Sequence, residues 1–313
     1  FFIISLPKLF RSAMILFSAV LRASGDTRTP MVVNLLINGL NILLNFFLIY
    51  QTRPITLLGR SFSIWGAGMG VTGAAIATGL GYSVTAVAGL VIFSKKDCLL
   101  HFVKPVCRIR TLVSAASNGS SEMAAALVTG IVTMMFNWTM LKYVGENGVA
   151  AITIIMYVLM FATSLYTGYS YGVAPMISFY YGEQNQGKLK KLIRLSMKII
   201  GFIGAAALII SLAVTEPLVA IFARSGNPVY DLAVTGNRIC SSALVFIGFN
   251  VFASGMFTAL SNGLVSAVLA FSRSFVFMVA AMLILPAILG VTGAWLATPA
   301  AEAAAFLLSA VMF

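Results

Sequence analysis

The chain has 313 residues, of which 60% are apolar and only 9% charged, with a mean hydropathy of +1.00. A soluble domain carries about a quarter charged residues, so this composition excludes one and places the chain in a bilayer. The net charge of +12 is no sign of a nucleic-acid partner either, because the basic residues gather in short loops between apolar runs, where they report membrane topology.

The apolar stretches run about 20 residues or more without the alternation of lipid-facing strands, which predicts helices rather than a barrel. In chain order the spans fall near 2–22, 31–50, 71–94, 119–141, 149–179, 191–213, 235–260, 264–287 and 290–313. Lys8 and Arg11 interrupt the first, and neither has an evident partner. Asn34, Asn38, Asn41 and Asn45 recur at steps of four, three and four, so the second span carries one polar stripe facing protein or water, with helix packing its main expected role. In the fifth span Gly168, Gly172 and Pro175 predict a bend or break beside Tyr169 and Tyr171, whose rings could stack on a flat cation or sit in an interfacial belt.

Orientation follows from the basic loops. Arg22, Arg28, five residues in 95–112 and five in 188–198 lie on one side, against Arg53, Arg60, Lys142, Arg224 and Arg238 on the other, so the richer side is expected to be cytoplasmic. Cys98, His101 and Cys107 share the linker but lack a fourth ligand, so no metal is expected there. The only histidine has no catalytic neighbours, and an enzyme is not expected.

Residues 70–93 and 290–313 repeat one another: seven of the first nine positions are identical at a constant offset of 220. A looser match upstream pairs Ser24 and Gly25 with Asn262 and Gly263. Both repeated helices run in the same direction, so the duplication is parallel, a pattern typical of secondary transporters. Six spans follow the linker and three precede it. The expected organisation is therefore three helices of a first lobe at 1–94, a basic cytoplasmic linker at 95–112 and a six-helix lobe at 113–313, with a complete form of twelve spans and a 313-residue chain inactive by itself.

Glu302 stands twelve residues into the last span, roughly 18 Å along it and near the bilayer midplane. Burial there disfavours the charged form while an arriving cation favours it, which suits a group that binds and releases protons; a structural Glu bonded between helices is the alternative. Glu122 opens the fourth span in NGSSEM, where it would either complement the helix terminus or attract cations at the inner mouth.

Four stretches resemble the multidrug and toxic compound extrusion (MATE) transporters: LRASGDTRTPM at 21–31, NGSSEMAAALVTGIVTMMFN at 118–137, GYSYGVAPMISFYYGEQN at 168–185, and SRSFVFMVAAMLILPAILGVTGAWLATPAAE at 272–302. The resemblance covers essentially the whole chain. It implies an all-α, two-lobe bundle in the cell membrane, about nine helices being present of twelve, which exports small organic cations by alternating access in exchange for H+ or Na+, with no further cofactor. Asn137, at the end of the second stretch, joins Glu302 and Glu122 as a candidate for that path. Arg273 resembles an arginine of the family that follows the tenth-to-eleventh loop, and a carboxylate or lipid phosphate is its expected partner. A key acidic residue found on the first helix of many relatives has no counterpart here. A flippase of lipid-linked sugars in the same superfamily is the alternative, although only Lys8, Arg11 and Arg273 could supply the cationic cleft it needs. Membrane lipid is an expected partner, nucleic acid is not, and the protein is expected to be a monomer.

Overall fold

The computed structural model describes residues 2–23, 26, 28–57, 60–94 and 108–312. It comprises two compact units, Phe1–Cys107 and Arg108–Phe313, and is helical almost throughout.

In the first unit, α1 (Phe2–Ala23) and α2 (Arg28–Ile49) both pack on α3 (Gly70–Ser94). The carboxylate of Asp26 caps α2 by accepting the Thr29 amide at 3.0 Å. Gly89 of α3 lies directly beneath the ring of Phe17, which also meets Phe93 with centroids 5.3 Å apart. Sequence reading leaves 51–69 as an outer loop, but an antiparallel hairpin fills it: β1 (Gln51–Leu57) pairs with β2 (Arg60–Ala67), from Gln51 opposite Ala67 to Leu57 opposite Arg60. A hairpin of this kind satisfies its backbone groups internally, and its few residues are too short a signal beside the long apolar runs.

The second unit begins with α4 (Ile109–Val144), which starts at Ile109 rather than near 119, so the last residues assigned to the linker are helical. It continues through α5 (Glu146–Gly182), α6 (Gln186–Phe222), α7 (Pro228–Cys240), a 3-10 turn (Ser241–Ala243), α8 (Leu244–Ala259), α9 (Gly263–Phe271), a π-helical turn (Ser272–Phe277), α10 (Met278–Leu289) and α11 (Val291–Met312). The N-termini of α6, α7 and α9 are capped by Asn185, Asn227 and Asn262, and Pro228 adds a ring whose missing N–H would have had no partner. The core gathers Phe136 and Met140 of α4, Ile155 of α5, Val219 of α6, Cys240 of α7 and Trp295 of α11.

One expectation is narrowed. α5 does not break at the Gly-Pro stretch but runs as one helix through Pro175, since a proline deletes a single donor and neighbouring turns absorb it. The irregular turns lie instead at 241–243 and 272–277. Among the described residues, seven helical segments are long and apolar enough to cross a membrane, α2 and α3 in the first unit and five in the second. Their outward faces are crowded with exposed apolar side chains such as Leu36, Phe202, Ile288 and Leu307, a surface of the kind that lipid covers. The protein is a multi-pass membrane protein.

The internal repeat is visible in the backbone of each unit separately. Gly70 and Gly290 both have positive φ, 55° and 59°, a conformation that a side chain disfavours. Three residues on, Gly73 and Gly293 each press against a main-chain carbonyl of the preceding helix, Leu48 in one case and Leu285 in the other, leaving no room for a Cβ. Ala77 and Ala297 then both lie fully buried.

Candidate functional site

In the second unit, α11 carries Glu302 about 17 Å along a helix about 33 Å long, at mid-span. Its residue is only 5% exposed. A bare carboxylate in this setting would be expensive, and two side chains answer it. The Arg273 Nε donates to both carboxylate oxygens, at 2.9 and 3.0 Å. The Asn250 Nδ2 of α8 donates to Oε2 at 2.8 Å and to the Glu302 main-chain oxygen at 2.9 Å. Ser309, two turns further along α11, donates to Asn250 Oδ1 at 3.4 Å and so completes the amide's own hydrogen bonding.

The backbone explains the aim of Arg273. Residues 272–277 form a π turn between α9 and α10, and such a turn shifts the side-chain register relative to a continuous α-helix. The guanidinium is thereby brought to α11 while its side chain stays about one-fifth exposed. The pair is electrically neutral as a unit, the form in which charges are tolerated inside a membrane.

Sequence reading picks Glu302 and Arg273 separately and leaves the arginine's partner open between a carboxylate and lipid; they are partners. It misses Asn250, which stands out only as a lone amide in the apolar run VFIGFNVF, and Ser309. The other candidates lie elsewhere. Asn137 lines a cavity of about 900 Å³ between α4, the start of α5 and the α6–α7 turn, together with Trp138, Glu146, Phe222 and Asn227. Tyr169 is half-buried against Phe252, with centroids 6.5 Å apart, and Tyr171 is 68% exposed on the outside of α5. In the first unit, Asn41 Nδ2 donates to Ala77 O at 3.2 Å and Asn45 Nδ2 to Asn41 Oδ1 at 2.9 Å, so part of the asparagine stripe does tie α2 to α3. Asn34 is half-buried and Asn38 is exposed. Arg11 is exposed on α1. The side chains of Glu122 and Lys8, and the linker with Cys98, His101 and Cys107, lie outside the described residues.

A second buried polar cluster is closed on itself: Asn237 Nδ2 donates to Thr215 Oγ1 at 2.9 Å, and Ser241 Oγ donates to Asn237 O at 2.6 Å. It clamps α7 to α6 at the 3-10 turn.

Comparison with known proteins agrees with this architecture. The MatE family model matches residues 122–284, about half the chain. The multidrug export protein MepA of Staphylococcus haemolyticus is 23% identical over 295 residues, covering 93% of this chain and 61% of its own length. The probable multidrug resistance protein NorM of Thermotoga maritima is 41% identical over 91 residues, 29% of this chain and 17% of its own. The chain thus spans between half and about three-fifths of the length of its MepA relatives. Among solved structures, a point mutant of a MATE protein superimposes with a TM-score of 0.81 at 22% identity, over 99% of this chain and 67% of the other. A MOP superfamily transporter from Pyrococcus furiosus gives 0.76 at 24% identity, over 95% and 65%. With the family model spanning half the sequence, and the fold shared with solved MATE structures, this chain belongs to the MatE family of transporters.

Proposed function

We propose that the protein belongs to a secondary active antiporter that exports small organic cations in exchange for H+ or Na+, with Glu302 as the group for which the cations compete. The observation that carries this reading is a buried mid-span carboxylate already held by a cation, Arg273, and an amide, Asn250. A proton, a sodium ion or an organic cation reaching Glu302 takes over the charge balance that the guanidinium supplies at rest. Each cation that binds neutralises the carboxylate and releases the guanidinium, and the ligands exclude one another because they answer the same carboxylate. That mutual exclusion is the thermodynamic requirement for coupling.

The names of the MepA and NorM relatives, which describe multidrug export and resistance, support a drug-like cargo. The alternative of a lipid-linked sugar flippase is weakened by the same geometry. Arg273 is engaged by Glu302, so it is not free to line a cationic cleft for pyrophosphate.

The test is efflux of a fluorescent organic cation from cells expressing the gene that carries this sequence, with imposed proton or sodium gradients, comparing wild type with Glu302→Gln. Gradient-driven export that the substitution abolishes is expected. Export at wild-type rate in the variant would remove Glu302 from the path, and absence of export under both gradients would overturn the antiport reading.

A further inference from the structure

One face of α6 changes character along its length. Lys188, Lys191, Leu195, Lys198, Phe202 and Ile209 recur at steps of three, four, three, four and seven, so they form a single stripe, and every one is exposed. Arg194 flanks the stripe between Lys191 and Lys198 and is exposed too. Up to Lys198 the face is cationic, and beyond it the exposed groups are apolar, with Phe202 75% and Ile209 67% accessible.

Helix length explains where this boundary lies. α6 has 37 residues and is about 55 Å long, well beyond a hydrocarbon core of about 30 Å. Residues 199–222 span about 36 Å by themselves, which leaves 186–198 in the headgroup layer on the side where the basic loops collect. Lys188 lies over the Tyr180 ring, 5.6 Å from its centroid. Lys191, Arg194 and Lys198 form no ion pair among the described residues, and neither does Glu183, the acid nearest in sequence.

We propose that this face binds an anionic phospholipid of the cytoplasmic leaflet, its phosphate held by Lys191, Arg194 and Lys198 and its acyl chain lying along Phe202 and Ile209. A free phosphate would use the first half of the stripe only. A soluble acidic protein could not follow it into the hydrocarbon, and a zwitterionic lipid brings its own cation to the headgroup and gains little from three more. The assignment is independent of what the protein transports.

The experiment is native mass spectrometry of the protein purified in neutral detergent and offered equal amounts of phosphatidylglycerol and phosphatidylcholine with matched chains. Wild type retains phosphatidylglycerol at least about tenfold over phosphatidylcholine. Each basic side chain near an anionic surface contributes about fivefold, so the triple variant K191Q/R194Q/K198Q loses on the order of 100-fold in retention. K191R/K198R, which keeps the charge, behaves as wild type, as does K142Q/R224Q at the opposite end of the unit. Unchanged phosphatidylglycerol retention in the triple variant, with helix content intact, overturns the proposal. So does equal retention of the two lipids by wild type, or displacement of the lipid by glycerol phosphate at the lipid's own concentration.

Discussion

Removing one member of the Arg273–Glu302 pair should be costlier than removing both. The two side chains are 21% and 6% exposed, so neither charge left alone can be rehydrated without moving a helix. Stripping the partner from a buried ion costs about 3–5 kcal/mol, whereas replacing a whole buried pair by apolar groups is close to neutral. Glu302→Gln keeps an acceptor for Asn250 but leaves the guanidinium unmatched, so it falls at the lower end. Arg273→Met strands the more deeply buried carboxylate and falls at the upper end. The double variant should then be less destabilised than either single, which puts it below the sum of the singles by about 5 kcal/mol or more. Reversible unfolding of the purified protein in mixed detergent micelles gives all three values. Additivity within about 0.5 kcal/mol would show that the two charges do not sense each other, and the geometry would then have no energetic meaning.

Gly236→Ala on α7 places a methyl 2.6 Å from Ile155 Cδ1 and 2.9 Å from Trp295 Cδ2, so the core must part, lowering stability by about 1–3 kcal/mol in the same assay. Ser196 is fully buried with a hydroxyl that meets no partner among the described residues, and Ser196→Ala should be neutral or stabilising by about 1 kcal/mol, unlike most buried substitutions. Tyr166→Phe removes the 2.8 Å hydrogen bond from its hydroxyl to Leu244 O, between α5 and α8, and should cost about 1 kcal/mol without altering helix content. The hydroxyl and amide of Thr29 hold the Asp26 carboxyl below its ordinary 3.8. A lowered folded-state value makes the cap's contribution complete above pH 3.8 and lost only as pH falls through the lower folded value; a carboxyl carbon titration by NMR should place the midpoint below 3.8, and a midpoint above it would refute the cap.

Much of this molecule can be read from residue order because a membrane removes ambiguity: a polar side chain within a long apolar run has few possible roles. Glu302 and Arg273 are visible for that reason, and Asn250 carries the same signal in VFIGFNVF, though a lone amide is fainter than a charge. What sequence cannot supply is register. Arg273 reaches Glu302 because residues 272–277 wind as a π turn, and nothing in SRSFVF distinguishes such a turn from an ordinary α-helical one. The same limit applies to Pro175, whose local bias toward a break is overridden by the packing of α5, and to the hairpin at 51–67, too short to compete with the apolar spans on either side. The asparagine stripe is legible as a stripe, but which of its members meets α3 depends on how α2 is rotated about its axis, a tertiary property.

The duplicated glycines have a consequence for how chemistry is distributed in the chain. Gly70/Gly290 and Gly73/Gly293 fix one joint in two places, yet at the same offset the first copy holds Ala75 and Tyr82 where the second holds Trp295 and Glu302. The joint therefore works as an interchangeable mount, indifferent to the side chains it displays further along the helix. Swapping residues between the copies at these positions should leave each helix seated as before while transferring the ionisable group from one half of the chain to the other.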